Sequence, residues 1–424
     1  MRFSVINLGC KVNAYEAESI ASDMEKRGWE RVKDNEDYDA VLIFTCAVTN
    51  TAASKSRQML HRAKRNHPEA VTCMIGCYVQ VDTDEVEDAD ILVGTKDKEK
   101  TPLLIEQYLK DHHKIRAVAD MGDMSFHQEE ASLSDSKARC DLKIQDGCNQ
   151  FCTYCIIPYA RGRERSLDPD TVIKEAERLS QKYHEIVLTG IHTGRYGREY
   201  GVTLAQLMKE ILAHTKDCRL RISSIEVTEV SDELIELMKE EPRIARFLHI
   251  PLQSGSDTVL KRMQRPYDTA YYYDRICKVR NALGEDISIS CDIMTGFPGE
   301  SEQEFQETMN FLKKCQFSFL HVFPFSLRKG TQAEKMPCQI PVPVRKKRAS
   351  QCIELSREME DAYRSSFVGK EADIIAEWVR DGSTTGHTSN YIPVRIKEEL
   401  VHGEWVHVKL TEYKNHIMYA EKIR

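Results

Sequence analysis

Cys148, Cys152 and Cys155 stand in a C-x3-C-x2-C pattern. Three thiolates can hold three irons of a [4Fe-4S] cluster and leave the fourth iron without a protein ligand. A structural zinc site asks for four closed ligands, usually from paired C-x2-C knuckles. This chain has only one C-x2-C pair, so zinc fits poorly. The neighbouring Gly147, Asn149 and Gln150 suit a loop better than a core strand, which argues against three merely buried thiols.

Three further cysteines each follow an apolar run that reads as a strand: Cys10 in LGCKVN, Cys46 in FTCAVTN and Cys77 in IGCYVQ. In an open parallel sheet, groups at the carboxyl ends of the strands share one crevice. These cysteines can therefore converge on a second cluster. Cys73 competes with Cys77, because residues four apart on a strand face the same side. The pattern alone leaves that choice open.

The elements that must position these groups follow from periodicity and punctuation. Segments 2–8, 41–45, 71–75 and 91–93 read as strands. They alternate with a helix over 13–28, for which Asn13 and Glu16 form an N-cap and capping-box pair, and a basic helix over 49–66. This alternation predicts a small parallel α/β sheet. Segment 121–138 is polar and acidic and reads as linker. From Cys140 six strands interleave with helices, which predicts a partial β/α barrel with its chemistry at the carboxyl ends of the strands. Gly190, Glu226 and Gln253 follow three of those strands and are candidate ligand contacts. Ser301 and Glu304 predict a helix N-terminus. The basic run 345–348 opens a long helix to about 365, either as a solvated face or as an RNA phosphate contact. From 367 onward, short alternating runs separated by glycine turns predict a small β-barrel, a fold that often binds nucleic acid. Its eight Lys/Arg stand against nine Asp/Glu, so any grip on RNA rests on local placement of Tyr391, Arg395 and His387.

The 424 residues allow two or three domains, and a formal charge of -7 gives no bulk basic field. Neither a leader nor an apolar run of membrane length is apparent, so a reducing cytoplasm is expected, with no membrane partner. In that compartment clustered cysteines mean metal or redox chemistry.

With Tyr154 before its last cysteine, GCNQFCTYCIIPYARGRERS resembles the cluster loop of the radical S-adenosylmethionine (SAM) enzymes. Together with LGCKVN, TCAVTN, GCYVQ, HIPLQSGS and GFPGES, it resembles the methylthiotransferases over essentially the whole chain. The resemblance implies a fold in four segments: an N-terminal parallel α/β domain (1–113), a linker (114–138), a partial (β/α)6 radical-SAM barrel (139–366) and an RNA-binding TRAM β-barrel (367–424). It implies two [4Fe-4S] clusters, one on Cys148, Cys152 and Cys155 that reduces SAM, and one on Cys10, Cys46 and Cys77, which settles Cys77 over Cys73. Gly190, Glu226 and Gln253 are then expected at SAM. Arg163 and Arg165 face either the SAM carboxylate or tRNA, or pair with Glu164 and surface acids. The implied partners are tRNA and a reduced electron donor such as flavodoxin or ferredoxin.

LGCKVN followed by YE resembles the enzymes that act on threonylcarbamoyladenosine beside the tRNA anticodon. Sister enzymes for isopentenyladenosine tend to carry GCQMN there, and those for a ribosomal-protein aspartate GCPKN. Ala14 stands where many relatives have Gln. The implied target, C2 of adenine, is a C–H bond with no accessible acidic proton, which is why a radical cofactor is needed. The nearest rival is the same reaction on isopentenyladenosine tRNA. A non-enzymatic iron–sulfur carrier with an RNA-binding tail would recruit Cys73 or Cys140 as missing fourth thiolates. A zinc-dependent RNA-binding protein stands third.

Overall fold

The computed structural model describes residues 1–122, 126, 133 and 137–423. Of the expected linker, 123–125, 127–132 and 134–136 lie outside the described residues. Its first part is not linker: Ile115–Ala117 is the edge strand of a sheet. The chain divides into two compact units, and the division does not follow chain order. One unit holds Met1–Ser132, Gln145–Leu167 and Ser326–Lys335; the other holds Leu133–Ile144, Asp168–Phe325 and Met336–Arg424. The cysteine loop thus belongs with the amino-terminal sheet.

In the first unit six parallel strands lie in the order Glu30–Val32, Arg2–Asn7, Ala40–Thr45, Val71–Gly76, Ile91–Val93, Ile115–Ala117. Alternate residues face opposite sides. Val41, Ile43 and Met74 pack with the helix Asn50–Asn66, whereas Leu42, Phe44, Cys73 and Ile75 pack with the helix Lys11–Lys26. Thr49 starts the second of these helices by accepting the Ala52 N–H through its side chain at 3.2 Å. Lys64 and Arg65 in its last turn suit the negative end of the helix dipole.

The first helix departs from expectation. It begins at Lys11, with Cys10 as N-cap and no side-chain cap. Asn13 and Glu16 therefore form no capping box. Both side chains are buried, and a tertiary partner uses them instead.

In the second unit the six strands are Cys140–Lys143, Glu185–Thr189, Arg219–Ile222, Phe247–His249, Ser288–Thr295 and Phe319–Pro324. They pair in parallel as two sets of three, joined by a parallel bridge between Leu220 and Ile244. This is the expected partial barrel, with helices between the strands. Ser301 and Glu304 form the expected capping box on Glu302–Cys315. The basic run lies on the helix Val342–Ser365, but it is not one solvated face: Arg348 is buried against Glu300, and Arg345 donates to the carbonyls of Ile340 and Phe325. Residues 371–422 close a five-stranded barrel around Ile374, Val394, Val406, Val408 and Met418. Among the described residues no helix is long and apolar enough to cross a membrane.

Candidate active site

Cys10, Cys46 and Cys77 follow three adjacent strands, Arg2–Asn7, Ala40–Thr45 and Val71–Gly76. The sheet order reverses between the first two, where open α/β sheets form their ligand crevice. The three thiols are electrostatic neighbours: burial pushes the Cys46 thiol up, Cys10 adds to it, and Cys77 is raised to about 11 chiefly by burial. Cys77 is not on the strand. Gly76, at φ +109°, ends the strand, and Cys77 begins the short helix Cys77–Val81. The same-side argument for Cys73 and Cys77 fails for this reason. They lie in cores on opposite faces of the sheet.

Arg161 joins this crevice to the other cysteine set. It ends the short helix Ile157–Arg161, and its side chain is 1% exposed. Its Nε donates to Cys77 Sγ at 3.2 Å. One terminal nitrogen donates to Glu16 at 3.0 Å and Asp146 at 3.1 Å; the other donates to Asn13 Oδ1 at 2.7 Å and Glu16 at 3.2 Å. Glu16 also pairs with Lys98, itself buried. Sequence reasoning read Asn13 and Glu16 locally and missed Arg161. The signal available was a polar pair on the buried face of a helix.

The loop of Cys148, Cys152 and Cys155 lies between Asp146 and that short helix. Cys148 N donates to Gly162 O at 3.1 Å, and Cys155 N to Cys152 O at 2.9 Å. Gly147 has φ +72°, and a Cβ there would sit 1.9 Å from the Arg163 carbonyl oxygen, so only glycine allows this approach. Thr153 O accepts from Ala333 N at 2.8 Å, which ties the loop to segment 326–335. Arg165 donates to Asp146 at 2.9 Å and to the carbonyls of Arg161 and Arg163. It is a strut of the loop. Arg163 is exposed, with its guanidinium over the Phe151 ring.

Each set offers three thiols, the donor number that a [4Fe-4S] cluster with one open iron takes. Among the described residues no three His, Cys, Asp or Glu side chains close around one point as ligands of a single ion do. A cluster bound at separate irons spreads its thiolates wider. Of the two proposed fourth thiolates, Cys73 packs in a core on the other face of the sheet from Cys77, and Cys140 directs its Sγ toward the Glu185 carbonyl at 3.8 Å.

In the second unit Gly190, Glu226 and Gln253 all lie just beyond the carboxyl ends of neighbouring strands, on one rim of the partial barrel. Gln253 has φ +69° and is 7% exposed, and its Oε1 has no partner. An orphaned acceptor on a rim is what a ligand donor would satisfy. Glu226 pairs with Arg265, whose Nε also donates to Tyr267 Oη at 3.0 Å. Arg265 was not singled out in the sequence.

On the carboxyl-terminal barrel, Tyr391 is engaged within its own unit. Its ring lies 4.9 Å from Phe247 and 4.7 Å from His387, under the guanidiniums of Arg221 and Arg139. Arg395 is exposed. It stands in an outward row formed by the register Trp378–Thr385–Arg395–Tyr419, in which Trp378 is 71% exposed.

A partial barrel of six parallel strands and, in the same chain, a C-x3-C-x2-C loop define a radical SAM protein. Residues 142–312 match the Radical SAM superfamily, and residues 2–94 match the Uncharacterized protein family UPF0004. The fold resembles the cobalamin-dependent SAM radical enzyme OxsB, with a TM-score of 0.53 at 12% identity, covering 84% of this chain and 61% of that one. The chain is 42% identical to the threonylcarbamoyladenosine tRNA methylthiotransferase MtaB of Bacillus subtilis, over 95% of this chain and 92% of that protein. It is 35% identical to its namesake in Thermotoga maritima, over 91% and 88%. It is 32% identical to a tRNA-2-methylthio-N(6)-dimethylallyladenosine synthase of Thermoanaerobacter, over 99% and 92%. The chain belongs to the radical SAM tRNA methylthiotransferase family.

Proposed function

We propose that this protein transfers a methylthio group to C2 of threonylcarbamoyladenosine beside the tRNA anticodon. The observation that carries the reading is the crevice geometry: three cysteines at the carboxyl ends of three adjacent strands, tied through Arg161 to a second set of three. Relatives of both substrate types match, and the higher identity lies with the threonylcarbamoyladenosine enzymes. When bound, a cluster on Cys148, Cys152 and Cys155 supplies the electron for reductive cleavage of SAM, and one on Cys10, Cys46 and Cys77 supplies the site for the transferred sulfur.

The chain's own residues bind and orient. Gly190 lets its backbone approach SAM, Gln253 Oε1 accepts a hydrogen bond from it, and Glu226 is held in place by Arg265. Arg163, Arg395 and Trp378 are the RNA contacts, since Arg165 and Tyr391 are engaged internally. The functional segments are 1–117, extended past 113 by the edge strand Ile115–Ala117, then 139–366 and 367–424. The protein works in the cytoplasm with a reduced flavodoxin or ferredoxin as electron donor.

Anaerobically reconstituted protein should bind about eight irons. Cys152→Ala should abolish SAM cleavage, while Cys46→Ala should keep it but form no methylthio product. Full product from the Cys46 variant would refute this division of labour. Mass spectrometry of tRNA nucleosides from a deletion strain separates the two substrates: loss of the 2-methylthio group from isopentenyladenosine alone would sink the assignment.

A further inference from the structure

Arg161 is the centre of a buried ion network: it lies between the carboxylates of Glu16 and Asp146, which also pair with Lys98 and Arg165. Its Nε–H points toward the Cys77 sulfur at 3.2 Å. A second observation concerns the backbone. The Gly162 carbonyl accepts the Cys148 N–H, and the Arg161 carbonyl accepts from the Arg165 side chain. One short peptide thus fixes the start of one cysteine loop while its side chain holds a sulfur of the other set. A lysine could not replace it. An ammonium on a flexible stem lacks the planar fork that reaches Cys77, Asn13, Glu16 and Asp146 together.

We propose that Arg161 is a positioning residue that couples the two cysteine sets, holding the Cys77 sulfur with a charged N–H donor and thereby setting the potential of the cluster bound there. The inference rests on the assignment of Cys10, Cys46 and Cys77 as ligands. Hydrogen bonds to the sulfurs are among the factors that set a cluster's reduction potential, and a charged donor acts more strongly than a neutral one. Arg161 therefore makes this cluster easier to reduce. A purely structural arginine, pinning the short helix to the sheet, would touch no cluster sulfur and would leave the potential alone.

The test uses the full-length chain with Cys148, Cys152 and Cys155 all changed to Ala, so that only the amino-terminal set can assemble a cluster. The protein is grown with arginine labelled with 15N in its guanidinium, reconstituted anaerobically and reduced by one electron. About four irons should bind. Pulsed EPR should show a 15N coupling from one arginine, a measurement that needs no substitution at position 161. Arg161→Lys should remove that coupling and move the midpoint potential to a more negative value. If the cluster forms without arginine coupling, or if Arg161→Lys leaves the potential unchanged, the inference is overturned and the functional reading survives. If the triple variant binds no iron while the six-cysteine protein does, the ligand assignment itself has failed.

Discussion

Two ion networks, one in each unit, have opposite centres. In the first, a cation is central: Arg161 sits between Glu16 and Asp146, with Lys98 and Arg165 behind them. In the second, an anion is central: Glu185, 1% exposed, is held by Arg219 at 2.6 Å, Arg221 at 2.9 Å and Arg139 at 3.5 Å, and Glu377 also pairs with Arg139. The guanidiniums have different further partners. Around Glu185 these are ring faces and carbonyls: Arg219 lies over Trp405, Arg221 lies over Tyr391 and Phe247, and Arg221 donates to Ser389 O and Thr388 O. Those partners attach the closed barrel to the strands of the partial barrel, which is a structural task. Around Arg161 the further partner is a sulfur, Cys77 Sγ. The same physics fastens two elements in one case and prepares a metal ligand in the other.

Breaking each centre should separate the two tasks. Arg161→Met leaves Glu16 and Asp146 buried without their shared donor, and Glu185→Met leaves Arg219 and Arg221 without their shared acceptor. Removing one partner of a buried pair costs about 3–5 kcal/mol, so both should unfold at markedly lower denaturant. Their iron contents should differ. Arg161→Met should lose iron from reconstituted protein, and Glu185→Met should keep it per folded molecule. Iron analysis beside urea titration decides, and the reverse pattern would break the comparison.

The acid limb gives a smaller and more selective effect. Burial pushes the Glu185 carboxyl up, but Arg221 and Arg219 outweigh it and hold it well below the usual carboxylate range. A carboxyl depressed in the folded state contributes its full stability above its unfolded value of about 4.3. That contribution is lost as pH falls through the lower folded value. Unfolding free energies measured from pH 6 to pH 3 should therefore decline less steeply in Glu185→Gln than in the parent chain. An identical slope would mean that Glu185 is not the proton-linked centre.

Much of the site was legible because it rests on short-range rules. Cysteines at strand ends, C-x3-C-x2-C spacing and β/α alternation each have a local cause, and the expected strands appear within a residue or two, although the sheet strands Glu30–Val32 and Ile115–Ala117 were not expected. What was not legible involved residues whose partners are distant in the chain. Asn13 and Glu16 match a capping box in spacing, yet Arg161, well over a hundred positions away, takes both side chains. Cys73 and Cys77 were compared as if one strand ran through both, because nothing local announced that Gly76 would adopt φ +109° and precede a helix from Cys77. Tyr391 was a candidate RNA contact by its place in the barrel, but Arg221, Arg139 and Phe247, distant in the chain, pack around its ring.

That last displacement supplies the gentlest test. If the Glu185 network engages Tyr391 to fasten the barrel, RNA must meet the barrel elsewhere. The outward row of Trp378, Thr385, Arg395 and Tyr419 offers an aromatic face beside a cation, with Lys397 lying 6.0 Å from the Tyr419 ring. Stacking on an aromatic side chain is worth about 1–3 kcal/mol per base, so Trp378→Ala should weaken tRNA binding by roughly 5- to 150-fold. Stability should hardly change, because the indole is 71% exposed. Arg395→Ala should weaken binding less, evenly across tRNAs, and reduce the salt slope by about 1. Tyr391→Phe keeps the ring and should bind tRNA as the parent does. Titrations at several salt concentrations check all three. Undiminished binding by Trp378→Ala together with a large loss in Tyr391→Phe would return the RNA contact to Tyr391, and with it the fastening role assigned to the Glu185 network would fall.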